Sequence, residues 1–180
     1  MKVFCTLNVV KRDLCSWLVQ NFDPFTSCIF LHGKSINLSP RDFEYIMGIK
    51  DGGVDIDVDL DVDDIDILKD KYCDDSGYIK LKSLEAKLVN ESKVNDDFKR
   101  SFVLFAIATL IFPTLGLNLT PYNLVFLKDT SVINEKNWAT WAFKRLVQGI
   151  QKFKAGRQKV VNGCVLFFEV TNFFKNDFII

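Results

Sequence analysis

The chain has 180 residues, of which 48% are hydrophobic and 17 are Phe, a composition that supplies a core for one domain of ordinary size and excludes a disordered tail. Lys and Arg number 23 and Asp and Glu number 23, which excludes a chain that is basic or acidic throughout. The charge is segregated instead: residues 51–75 hold 11 Asp against Lys69 and Lys71, 2 − 11 = −9, while residues 136–168 hold seven basic side chains and no acid.

Residues 11–22 place Leu14, Trp17, Leu18 and Phe22 at helical spacing, with a stop at Asp23-Pro24. Residues 28–38 are two short β-prone runs about Gly33, which predicts a hairpin. Ser39-Pro40-Arg41-Asp42 combines an N-cap, a proline in the first turn and an acid three residues after the cap. The helix it opens carries Phe43, Ile46 and Met47 inward and stops near Gly48. Residues 51–75 then alternate Asp with Val, Ile and Leu; Asp is a poor strand former and the like charges repel, so the segment reads as a mobile acidic loop. Leu81, Leu84 and Leu88 mark one side of a short helix within 78–89.

Residues 98–112 carry no charge after Arg100 and are apolar on every side, the pattern of a helix buried in a core. Asn95 caps it, Asp96 and Asp97 suit the positive end of its dipole, and Pro113 stops it. The uncharged run is far shorter than the ~20 residues a bilayer requires, so a core helix is the preferred reading over a membrane span. A turn and a short packed segment follow, ending at Leu127. Residues 137–153 set Trp138, Trp141, Ala142, Leu146, Gly149, Ile150 and Phe153 on one stripe and Lys136, Thr140, Lys144, Gln148 and Lys152 on another, an amphipathic helix. Residues 163–174 form a further largely apolar element, helix rather than strand.

Chemistry finds few footholds. His32 is the single histidine and sits in the hairpin turn, so a Cys-His or Ser-His nucleophile would have to use an ordinary turn residue. Five cysteines, at 5, 15, 28, 73 and 164, contain no CxxC pair, which fits unpaired thiols in a reducing compartment and does not suit a zinc site. The N-terminus lacks the apolar core and cleavage site of a secretion signal. An EF-hand read from Asp55 has Leu60 where Gly is needed and Asp66 where the bidentate Glu is needed; registered on Gly77 it begins at Tyr72 and ends at Ser83. His32-Gly33-Lys34-Ser35 resembles the end of a P-loop without its leading glycine. The expected cofactor is therefore none, and no residue is expected to be catalytic.

The succession Trp17-Leu-Val-Gln-Asn-Phe-Asp23-Pro24, Leu31-His-Gly-Lys-Ser-Ile-Asn-Leu-Ser39-Pro40, Asp42-Phe43, Ile46-Met47-Gly48-Ile49, Asp51-Gly52-Gly53, the run 102–113, Asn137-Trp138 and Gly163-Cys164-Val165-Leu166-Phe167 resembles the plant mobile domain, of the type found upstream of Ulp1-type protease domains in Mutator-like transposable elements. The resemblance implies a nuclear, transposon-derived protein acting in silencing or development through protein partners, a phosphatase among them, with no catalytic residue of its own.

The sequence therefore predicts a mainly α fold: a single helical domain over residues 1–180 around a buried central helix, with one small N-terminal β-hairpin and the acidic loop at 51–75. The expected function is a non-enzymatic nuclear interaction module. The alternative is a nucleic-acid-binding module using Lys144, Arg145, Lys152, Lys154, Arg157 and Lys159, against which stand the acidic segment and the lack of a clearly displayed aromatic beside the lysines.

Overall fold

A computed structural model describes residues 12–31, 33–56, 65–113 and 118–174. It is mainly α with a small antiparallel sheet near the N-terminus, as the sequence predicts. Contacts between residues divide the chain into two units, Met1–Asp51 with Ala139–Ile180, and Gly52–Trp138.

The first unit begins with helix α1 (Arg12–Asn21), which buries Cys15, Leu18 and Val19. Strands β1 (Phe22–Asp23), β2 (Cys28–Leu31) and β3 (Lys34–Asn37) follow in the order β1-β2-β3, each antiparallel to its neighbour. The predicted hairpin is β2 and β3, with Ile29 opposite Ile36; β1 is an addition, made because Phe22 continues from the helix into pairing with Ile29. Gly33, at φ 78°, takes the left-handed backbone that the turn demands. His32 lies outside the described residues.

Helix α2 (Pro40–Met47) has the predicted capping box: Ser39 Oγ accepts from the Asp42 amide and Asp42 accepts from the Ser39 amide. It ends at Gly48 in the left-handed region and buries Phe43 completely. Helices α6 (Trp138–Lys154) and α7 (Leu166–Phe174) complete this unit, and α7 packs against both α1 and α2. Its core is aromatic: Phe167 lies 4.9 Å from Phe43 and 6.1 Å from Phe143 between ring centroids, and Phe168 lies 5.2 Å from Phe22. Full burial of each such side chain contributes about 1.5–3 kcal/mol before packing terms are added.

The second unit contains α3 (Asp66–Tyr72), β4 (Ile79–Lys80), α4 (Leu81–Asn90), α5 (Asp96–Ala106), β5 (Asn118–Leu119), which pairs antiparallel with β4, and two 3-10 turns, Pro121–Leu127 and Ile133–Glu135. Within the Asp-rich segment, α3 forms because Ile65 and Tyr72 are buried at its two ends, so apolar anchoring overrides the acidic composition there. Residues 57–64 of that segment lie outside the described residues. Val54 is hydrogen-bonded to both Glu135 and Asn137 through the backbone, and Asn137 accepts from Gly52 and donates to Asp55.

The central helix α5 starts as predicted, with Asn95 accepting from the Phe98 amide, and runs on into a π-helical turn, Ile107–Ile111. There Thr109 donates to the Phe105 carbonyl and the Phe112 amide reaches the Ile107 carbonyl. Leu104, Ile107 and Ile111 are 0%, 1% and 5% exposed, in keeping with a core helix. Burial is not all-round, however: Phe102 is 57% exposed and stacks on Phe98 at 6.4 Å. Arg100 fastens the helix to the 3-10 turn by donating to the Leu127 and Lys128 carbonyls at 2.9 and 2.8 Å. No helix among the described residues is long and apolar enough to cross a membrane.

Truncating Leu104 to Ala should cost about 2–5 kcal/mol, because a fully buried side chain leaves a cavity. The same change at Phe102 should cost less than about 1 kcal/mol. Urea titrations of the two variants check the contrast, and equal losses would contradict the one-sided burial.

Candidate functional site

The basic face predicted on residues 137–153 is α6, and its exposure follows from what the opposite face must bury. Ala139, Trp141, Ala142, Phe143, Leu146, Gly149 and Ile150 turn inward. The chain returns across this buried side at residues 162–163, close enough that a Cβ on Gly149 would fall 1.8 Å from the Asn162 carbonyl oxygen. Gly163, at φ 140°, makes the reciprocal approach to Leu146, where a Cβ would fall 2.7 Å from its Cα. Gln158 seals the crossing by donating to the Gly149 carbonyl at 2.7 Å.

That crossing determines where the turn after α6 runs. Gly156 takes the left-handed conformation, its amide bonds to the Phe153 carbonyl, and the Arg157 amide bonds to the Lys152 carbonyl at 2.9 Å. Lys144 and Lys152 on the helix and Arg157 and Lys159 on the turn all project into solvent. None of these four has an ion-pair partner among the described residues. Lys152 and Lys154 also lie at the negative end of the helix dipole, which stabilises them there.

The other two cations of the predicted set are engaged. Lys154 donates to the Gln20 carbonyl at 2.9 Å and the Phe22 carbonyl at 2.7 Å, tying α6 to the start of the sheet. Arg145 is half-buried over the Trp141 ring, 5.7 Å from its centroid. The structure thus separates the six predicted residues into four exposed cations without such ties and two that hold the fold, of which Lys154 is itself exposed.

Beside this face lies a groove of about 570 Å³, lined among others by Phe25, Phe30, Gln151, Lys154 and Ala155. Phe25 is 88% exposed and Phe30 54%. Sequence reasoning missed both, although the signals were present. In β2 the alternation that buries Ile29 and Leu31 sends Phe30 outward. At Asp23-Pro24-Phe25-Thr26 the Asp23 carboxylate accepts from the Phe25 amide at 3.0 Å and the Thr26 hydroxyl at 2.7 Å, closing a tight turn that displays Phe25. The Thr26 hydroxyl and then the Phe25 amide hold the Asp23 carboxyl below the usual range, with a further contribution from Lys154.

Asp74, Cys15 and Cys164 are occupied by structure. Asp74, the third position of the EF-hand frame registered on Gly77, accepts from Ser76 and Tyr78 and pairs with Lys80 at 3.1 Å, which lowers its pKa to about 2. Burial pushes the Cys164 thiol up to about 12, and burial with Glu169 nearby pushes Cys15 up to about 11. Cys5 lies outside the described residues. No group of three His, Cys, Asp or Glu among the described residues is arranged to hold a metal ion.

Residues 4–169 match the family model described as a domain of unknown function, DUF8566. The chain belongs to the DUF8566 family. This corrects the resemblance to the plant mobile domain, since the matching model is DUF8566 and not that domain. The blocks that suggested it are a capping box, a glycine turn and apolar helix cores, which answer to general folding demands rather than to one family. The transposon origin, nuclear setting and phosphatase partner implied by the resemblance lose that support. No curated protein and no solved structure matches the chain.

Two outcomes check this geometry. Lys154→Met should destabilise the fold by about 1 kcal/mol through the loss of hydrogen bonds to the Gln20 and Phe22 carbonyls, read by thermal unfolding. In the native protein at about pH 8, Cys15 and Cys164 should stay protonated and resist a disulfide reagent, reacting only on denaturation, as mass spectrometry of labelled peptides would show.

Proposed function

We propose that this DUF8566 chain is a binding module rather than an enzyme, and that its first unit takes nucleic acid on the basic face of α6 and the turn behind it. The observation that carries the reading is the set of four exposed cations, Lys144, Lys152, Arg157 and Lys159, without ion-pair partners among the described residues. Charge counted over whole units supports it. The first unit has 13 Lys and Arg and 7 Asp and Glu, 13 − 7 = +6; the second has 10 and 16, 10 − 16 = −6. Apart from Asp51, the acidic segment therefore belongs to the unit that the reading does not use. The other objection from sequence is met by Phe25 and Phe30, which share a groove with Lys154 of the same unit.

A protein partner is the second reading, and Phe102 favours it: a large apolar side chain left 57% exposed on the central helix of the acidic unit.

Salt separates the two. Four phosphates neutralised on duplex DNA give a slope of log K against log salt near −4, since each contributes about −0.9. Lys144→Ala, Lys152→Ala and Arg157→Ala together should flatten that slope to about −1 and leave the unfolding midpoint within a few degrees of wild type. Fluorescence anisotropy with a labelled oligonucleotide from about 50 to 200 mM salt reads it. Affinity that ignores salt, or a triple variant with unchanged slope, would overturn the proposal in favour of a protein partner.

A further inference from the structure

We infer that the groove between Phe25 and Phe30 is a base-stacking site, so that the nucleic acid taken by the first unit is single-stranded. The inference rests on the nucleic-acid reading above and adds the class of strand. A duplex keeps its bases stacked on one another and offers a protein its phosphates and base edges, whereas a single strand can lay unpaired bases on exposed aromatic rings. Phosphate contacts alone need only cations; displayed phenyl rings need a further reason.

The display is built. Phe25 is 88% exposed, yet its backbone is held by Asp23, whose two carboxylate oxygens take the Phe25 amide and the Thr26 hydroxyl. The next residue but one, Ser27, is the one described non-glycine residue in the left-handed region, at φ 55°. Its carbonyl accepts from the Leu38 amide at 2.9 Å, which pins this disfavoured conformation to the segment after β3. Phe30 is set by strand alternation between the buried Ile29 and Leu31, opposite Ser35 on β3. Both rings are therefore presented from a fixed backbone, so that no loop has to be ordered to bring them to a base. Such a platform accepts any base, because every base has a flat face.

Charge makes the occupant specific. The far wall of the groove is the last turn of α6, with Gln151 and Lys154, and Ala155 just beyond it, and exposed Lys152 is the neighbour of Gln151 on the same turn. Phosphates of a strand whose bases lie on Phe25 and Phe30 would run toward cations, while the one acid lining the groove, Asp23, has both oxygens engaged and Lys154 close by. An apolar protein segment would gain nothing from the excess of +6 in this unit.

The test uses the whole chain with labelled oligothymidylate of about 20 nucleotides and a duplex of the same length, followed by anisotropy. Wild type should bind the single strand at least about tenfold tighter than the duplex, and Phe25→Ala and Phe30→Ala should each weaken single-strand binding by about 5- to 150-fold without changing the salt slope. Phe25→Trp should retain single-strand affinity and Phe25→Leu should lose it, since leucine is apolar but does not stack. Equal affinity for the two probes, or wild-type single-strand affinity in the alanine variants, overturns the stacking site while a steep salt slope still upholds the nucleic-acid reading. Retention of affinity in the leucine variant overturns stacking in favour of an apolar contact, and failure of wild type to bind either probe overturns both claims. Both rings are exposed, so the variants should fold, and circular dichroism checks that they do.

Discussion

The placement of every cation on the exposed face depends on one close contact between backbones. Where residues 162–163 cross α6, Gly149 and Gly163 leave room that no side chain could share, and the Asn162 carbonyl occupies the space of a missing Cβ. Because the crossing is tight, α7 is delivered against α1 and α2 with Phe167 and Phe168 fully buried, and α6 must keep its apolar stripe inward. The positions of Lys144, Lys152, Arg157 and Lys159 follow as the remainder. A surface of like charges that would repel if free to spread is thus held by apolar packing on the opposite side of the same helix.

The aromatic core and the exposed aromatics obey the same rule with opposite results. Phe22 and Phe30 belong to adjacent strands of a three-stranded sheet and lie on opposite faces of it. Phe22 packs on Phe168, and Phe30 is left outside. Exposing a phenyl ring forgoes about 1.5–3 kcal/mol of burial, so a fold that does this twice within one groove leaves apolar surface ready for a ligand.

Much of the fold was legible because local chemistry decided it. The Ser39-Asp42 capping box, the Asn95 cap, the Gly33 turn and the two stripes of α6 each depend on residues within a turn or two of one another. What was missed depends on partners distant in sequence. The segment after Asp51 reads as loop by composition, and only burial of Ile65 and Tyr72 converts part of it to helix; β4 exists because β5 pairs with it from 39 residues away, Ile79 with Leu119 at 40 and Lys80 with Asn118 at 38. The basic set was legible as composition but not as a site, since only the tertiary structure shows that Lys154 caps the Gln20 and Phe22 carbonyls and that Arg145 covers Trp141. The family resemblance failed for a related reason: caps and apolar runs report folding, and these recur wherever helices pack.

The first unit has its two covalent exits side by side. The Lys50 carbonyl accepts from the Ala139 amide at 3.0 Å, and Thr140 donates to the Asp51 carboxylate at 2.9 Å, so the chain leaves and re-enters this unit at one doorway. The second unit is thereby an insertion in the topological sense, hung on adjacent stems. Loop-closure entropy rises only slowly with the number of residues between such stems, so evolution can lengthen, trim or replace the inserted portion at small thermodynamic cost to the host.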